Sequence, residues 1–129
     1  MNGGAHEGVA GYMSNQLGSS GFTEETISNY DSKYFDVYSA SSTATSYQNR
    51  ILGDATGEMG PYYRYADKDN GLRWHSSWYN QDAHFIYSDR PWFRRGGHYG
   101  NGVLGGQFGF GRYSGTGDST LSFRIVLTP

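Results

Sequence analysis

Gly100-Asn101-Gly102-Val103-Leu104-Gly105 spells G-x-G-x-x-G, the spacing of a turn that wraps a dinucleotide pyrophosphate. That chemistry needs a strand running into the glycines and a helix opening out of them, because the helix N-terminus is what binds the phosphates. Arg95-Gly96-Gly97-His98-Tyr99 precedes the motif, and Gly106, Gly109 and Gly111 follow it among Phe108 and Phe110. No helix carries such a glycine density. The glycines are therefore read as serving tight turns and close backbone approach.

Other reactive groups are scattered. The histidines His6, His75, His84 and His98 include no pair at the i, i+4 spacing of a helical metal site, so singly placed, hydrogen-bonded histidines are expected. Asp67, Asp69, Asn70 and Gly71 resemble the start of a calcium loop, but the glycine falls one place early and position twelve is Trp78 rather than a bidentate Glu. That excludes an EF-hand. It leaves calcium open as a cofactor, at a looser site drawing on Asp54, Glu58, Asp67, Asp69 or Asp82, against the plainer reading of solvated loop carboxylates. Ser14 is not in a G-x-S-x-G elbow, and Glu24-Glu25 read as helix-start charges rather than a glycosidase pair. With no cysteine, thiolate zinc, disulfides and cysteine nucleophiles are excluded together. The chain is expected not to be an enzyme.

What remains is a density of aromatic and polar side chains: Trp74, Trp78, Tyr79, His84, Tyr87, His98, Tyr99, Asn101, Arg112 and Tyr113. Such rings stack on sugars or form protein hot spots when borne on loops over a stiff scaffold, so these ten are the candidate ligand-binding residues. Composition agrees. Aromatics make up 17% of the 129 residues, with 12 Tyr and 20 Gly, while the mean hydropathy is -0.70. A core short of aliphatics must be built from rings, whose hydroxyl and indole N–H groups need partners. Trp92, Phe93, Phe108, Phe110 and Phe123 are expected there. A net charge of -2 steers the chain toward neither nucleic acid nor anionic membrane. No apolar run approaches the roughly 20 residues of a membrane span, and the N-terminus lacks the regions of a signal peptide.

The elements that must position these residues are short, within a single domain over 1–129. Residues 1–21 carry a weak apolar thread of Val9, Tyr12, Met13 and Leu17 and end in a Gly/Ser loop. Thr23 is a plausible N-cap for a short helix. Lys33–Tyr38 reads as a strand and Tyr47–Leu52 as a helical turn. Tyr62–Tyr65 reads as extended before the turn at Asp67–Gly71, whose Asn-Gly is the strongest hairpin signal. Beyond it come extended pieces at Trp74–Tyr79, His84–Tyr87, Trp92-Phe93, Gln107–Arg112 and Leu121–Leu127. A loop-rich α+β fold with short strands and little helix follows.

Three segments together resemble the formylglycine-generating-enzyme type of C-type-lectin-like domain, of the sulfatase-modifying-factor superfamily. Met1-Asn2-Gly3-Gly4-Ala5-His6-Glu7 is similar to its M-N-G-N-V-W-E, Arg95-Gly96-Gly97-His98-Tyr99 to its R-G-G-S-W, and Ser122-Phe123-Arg124 to its terminal G-F-R, in the same order and spacing. Lys33–Tyr38, Leu52–Glu58 and Pro91-Trp92-Phe93 are similar to a subgroup in gut-bacterial surface or pilin-like and prophage proteins. His6 replaces the family's usual Trp and Gly8 a common aromatic. The catalytic cysteines of the enzyme members have no counterpart, so the resemblance implies a binding module without oxidase activity. It further implies an extracellular, cell-surface or virion-surface location and a protein or glycan partner on a cell surface.

One special form is a phage receptor-binding, diversity-generating variable protein, with replacements at positions such as Tyr99, Asn101, Tyr113 and Ser114. The structural alternative is a pilin-like subunit packing through its aromatics. The resemblance also implies that the usual first strand and two helices are missing here, so the chain is either part of a longer protein or covers its edge strand another way, such as homo-oligomerisation.

Overall fold

The structure is a computed structural model and describes residues 4–38, 63–66, 73–76, 79 and 81–122. In chain order the described elements are β1 (His6–Met13), α1 (Glu24–Ser28), β2 (Asp36–Tyr38), β3 (Tyr63–Ala66), β4 (Arg73–Ser76), β5 (Trp92–Arg95), β6 (Phe110–Tyr113) and β7 (Leu121–Ser122). Together they make a mixed sheet of five strands with little helix, a small α+β or mostly-β architecture.

β1 is the organising strand. One of its edges pairs antiparallel with β5 through Glu7↔Arg95, Gly8↔Arg94 and Tyr12↔Trp92, with a register shift between Gly8 and Tyr12. Its other edge is shared by two parallel partners: β7 beside His6 and Glu7, and β2 beside Gly11 to Met13. β6 extends the sheet beyond β5, pairing Trp92 with Tyr113 and Arg94 with Gly111. β3 and β4 form a separate antiparallel hairpin whose innermost pair is Ala66↔Arg73. The Asn-Gly signal predicts a hairpin here and the two strands do pair, but with Ala66 opposite Arg73 rather than opposite His75 as a two-residue Asn70-Gly71 turn would set; the turn residues lie outside the described residues.

Side chains alternate across the sheet with period two, and β5 shows the result. Phe93 is fully buried on one face with Met13, Tyr38, Ala83, Phe85, Ile86 and Phe110. Its ring meets Phe85 at 5.0 Å and 88° and Tyr38 at 5.1 Å and 70°, the edge-to-face geometry that ring quadrupoles favour. Trp92 turns to the opposite face, stacks on Tyr12 at 5.0 Å and joins Ile27 of α1, with Leu17, Phe35 and Tyr113 packed around it. Its indole Nε1 donates to the Leu17 carbonyl at 2.9 Å, supplying the partner that a buried indole requires. Thr23 caps α1 as predicted, its extended backbone letting Oγ1 accept from the Thr26 N–H at 3.1 Å.

Several expectations are corrected. The N-terminal stretch is a continuous eight-residue strand rather than a weak apolar thread. Its glycines dilute the β signal, and its polar residues His6 and Glu7 are buried by distant partners. Lys33–Tyr38 divides into a 3₁₀ turn at Ser32–Tyr34 and the three residues of β2, because Asp31 caps the turn by accepting from the Lys33 N–H. His84–Tyr87 is not a strand. The nearby bridges Ala83↔Phe110 and Tyr87↔Arg90 are isolated. Phe108 is half-buried beneath Tyr79 rather than in the core. Phe123, the remainder of Leu121–Leu127, and Tyr47–Leu52 lie outside the described residues.

Candidate recognition surface

The connection from β5 to β6 carries the glycine-rich stretch, and its hydrogen bonds close on themselves. Gly96, at φ 71°, donates its N–H to the Gly109 carbonyl at 2.8 Å, and a Cβ on Gly97 would collide with the backbone of Gly105. The two ends of the loop thus cross where only glycine fits. Between them His98 opens a 3₁₀ segment, Tyr99–Leu104. Its Nδ1 accepts from the Gly100 N–H at 3.1 Å, and the Asn101 Oδ1 accepts from the His98 N–H at 2.9 Å. These bonds form a reciprocal cap of the kind that opens α-helices. The segment is interrupted at Gly102 (φ 55°, ψ −131°) and passes into a turn and β6, so no helix follows the G-x-G-x-x-G glycines.

A second segment anchors the loop from below. Asp82 donates its N–H to the Leu104 carbonyl at 3.0 Å, and the Phe108 N–H donates to the Gln81 Oε1 at 2.8 Å. On this fixed base Tyr99 stands 78% exposed, Val103 94% and Tyr79 80%. Tyr79 sits in the left-handed region at φ 61° and stacks on Phe108 at 5.8 Å. A non-glycine residue held at positive φ costs of order 1 kcal/mol and persists only where its surroundings impose it.

Behind the loop is a polar cluster on the face of the sheet that carries Trp92. His6 is 4% exposed, its ring tilted against His98 at 4.7 Å. Its Nδ1 lies 2.8 Å from the Gly96 carbonyl, so Nδ1 carries the proton and Nε2 holds a lone pair. Burial, followed by the charge of Arg94, lowers the His6 pKa to about 4 and outweighs the Gly96 hydrogen bond. His6 Nε2 and Arg94 Nε are both buried without a hydrogen-bond partner. At the Asp82 carboxylate, 2.9 Å from His84 Nε2, burial works against ionisation. The His84 bond and nearby positive charge outweigh it and hold the pKa below the usual carboxylate value.

The structure gathers Tyr79, His98, Tyr99 and Asn101 of the predicted residues into the loop surface. His84 is engaged by Asp82 beside it. Tyr87 and Arg112 form a separate pair, with the guanidinium 4.5 Å from the ring centroid and its Nη1 donating to the Phe85 carbonyl. Tyr113 lies on the Trp92 face of the sheet, packed against that ring rather than in the loop. Trp74 lies in β4, paired with Tyr65, and Trp78 lies outside the described residues. Of the calcium candidates, Asp54, Glu58, Asp67 and Asp69 also lie outside them. No group of three potential metal ligands occurs among the described residues.

Val103, Leu104, His6 and Arg94 were absent from the sequence-based set. Two adjacent aliphatics in a Gly/Asn-rich turn were the available signal for Val103 and Leu104. His6 and Arg94 meet only through the sheet register. Comparison with family models, curated proteins and solved structures finds no match.

Proposed function

We propose that this chain is a non-enzymatic recognition domain on a C-type-lectin-like scaffold, displayed outside the cell or on a virion. The loop surface of Tyr79, Tyr99 and Val103 is its contact with a protein or glycan on a cell surface. The observation that carries this reading is the exposure of Tyr99 and Val103 on a loop whose backbone and polar side chains are already hydrogen-bonded, with Tyr79 exposed on a separate segment and stacked on that loop's Phe108. Apolar rings held rigid in water add contact area at little entropic cost on binding. Supporting the scaffold, the three segments that resemble the formylglycine-generating-enzyme type converge. His6 and Glu7 pair with Leu121 and Ser122, Glu7 also pairs with Arg95, and the Tyr99 N–H donates to the Gly4 carbonyl.

The test is binding of the fluorescent chain to a glycan array and to intact bacterial and epithelial cells, beside the Tyr99→Ala and Val103→Ser variants. Saturable binding lost in both variants, with their thermal unfolding unchanged, is expected. Binding that ignores both substitutions overturns the reading. Self-association of the chain that Tyr99→Ala abolishes, without binding to any surface, supports the pilin-like subunit instead.

A further inference from the structure

Away from the recognition loop, the sheet face bearing Trp92 holds a groove of about 420 Å³. This volume lies within the range of small-molecule sites, which are mostly apolar with a few convergent polar groups. Phe22, Phe35, Trp92, Tyr113 and Leu121 give the groove an apolar lining. Phe22 meets the buried Trp92 ring at 5.7 Å yet is itself 45% exposed, so part of an apolar ring faces water here.

Two loops fix the shape of the groove. Ser19 donates its N–H to the Ser114 carbonyl at 2.7 Å. Gly115, at φ 97°, lies so close to Ser20 that a Cβ on it would collide with the Ser20 backbone. The segment leading to Phe22 is thereby tied to the segment that follows Tyr113. A ligand has little backbone left to order on binding.

The polar groups of the lining are few and mostly engaged. The Ser20 hydroxyl donates to the Leu17 carbonyl at 2.8 Å, and that of Ser122 to the His6 carbonyl at 3.0 Å. The Thr116 hydroxyl shares a bond with that of Ser114 at 3.1 Å. Tyr113 differs. Its hydroxyl lies over Gly8, another lining residue, 3.1 Å from where a Cβ there would stand. Among the described residues it has no hydrogen-bond partner. Burial raises its pKa above the usual phenol value, so it is neutral and can both donate and accept.

The chemistry of the lining restricts what fits. Among the described residues, no Asp, Glu, Lys, Arg or His lines the groove, so an ion entering it would lose hydration without meeting a counter-charge. A sugar would bring a ring of hydroxyls to walls whose own hydroxyls are mostly engaged, and each one left unpaired weakens binding. We propose that this groove binds a small neutral aromatic molecule bearing one hydroxyl group. Its ring lies against Phe22, Phe35 and Trp92, and its hydroxyl bonds to that of Tyr113.

The probe is 2-phenylethanol, beside ethylbenzene, which lacks the hydroxyl, phenylacetate, which is charged, and methyl glucoside, which is a sugar. Each is followed by the Trp92 indole N–H resonance in two-dimensional NMR. Saturable shifts with a Kd on the order of 1 mM are expected for the alcohol, and binding at least about tenfold weaker for phenylacetate and the glucoside. Tyr113→Phe keeps the ring and deletes the hydroxyl. It is expected to weaken 2-phenylethanol about fivefold and to leave ethylbenzene unchanged. Phenylacetate or the glucoside binding as tightly as the alcohol overturns the proposal, as does no shift up to about 10 mM alcohol. A folded Tyr113→Phe variant that binds the alcohol as tightly as the parent overturns it too. Should that variant fail to fold, the comparison of alcohol, acid and sugar on the unaltered chain still decides. The recognition loop takes no part in this experiment, so its outcome is independent of the proposed function.

Discussion

Replacing His6 with Gln isolates the energetic consequence of burying an imidazole beside Arg94. The His6 pKa falls from 6.5 to about 4 on folding. Between those values the unfolded chain binds more protons than the folded one, so the stability contributed by neutral His6 is complete above pH 6.5. It is lost as pH falls toward 4. The displacement of about 2.5 pH units corresponds to about 3 kcal/mol in total, of which about 2 kcal/mol has gone by pH 5. For a domain of this size, that is a fall of about 8 °C in Tm between pH 7 and pH 5. Asp82 and Asp118 have depressed pKa values, so their contributions are lost only below the ordinary carboxylate value of 3.8. The assay is urea unfolding at pH 7, 6, 5 and 4.5 for both proteins. His6→Gln should lose about 2 kcal/mol less than the parent between pH 7 and 5. Parallel losses would show that His6 is not the group responsible and refute the reasoning.

Phe93→Ala removes a fully buried ring that three others meet edge-on, and should cost about 4 kcal/mol in chemical denaturation. Arg95→Ala takes away the guanidinium whose Nε donates to Glu7 at 2.9 Å, where the Glu7 side chain is 11% exposed; a loss of about 2 to 3 kcal/mol is expected by the same measurement. Gly97→Ala drives a methyl into the Gly105 backbone and should lower Tm while exposing the loop's amides to faster hydrogen exchange than the rest of the sheet. Thr23→Ala should cost only about 1 kcal/mol, because α1 is five residues long and its loss of a cap leaves the sheet intact.

The parts of this fold that could be read from the sequence are those whose signals are local. Thr23 announces α1 because a cap and its helix are neighbours in the chain. Trp92, Phe93 and Phe110 were expected in the core and are there, since a large ring among strand-forming residues has few other places to go. β1 was hidden for the opposite reason. Gly8 occupies a place where a side chain would meet Tyr113, and Glu7 is acceptable in a strand because partners such as Arg95, 88 residues away, reach it. The candidate surface divided similarly: Tyr79, Tyr99, His98 and Asn101 were recognisable as aromatic and polar loop residues. His6 and Arg94 acquire their chemistry only when β1 and β5 lie side by side.

β1 also determines the order of assembly. Its described partners include β5, β7 and the Gly96 carbonyl, and the Ser122 hydroxyl that donates to His6 lies 116 residues further along the chain. A ribosome therefore releases the central strand long before most of what it pairs with. Until β5 and β7 emerge, most of its backbone groups have only water or a foreign strand to bond. Closing such long loops makes folding slow compared with a helical bundle of equal size. The interval is one in which a nascent chain is exposed to aggregation, so a holding chaperone should raise the yield of folded protein more than it raises the yield of a locally wired domain.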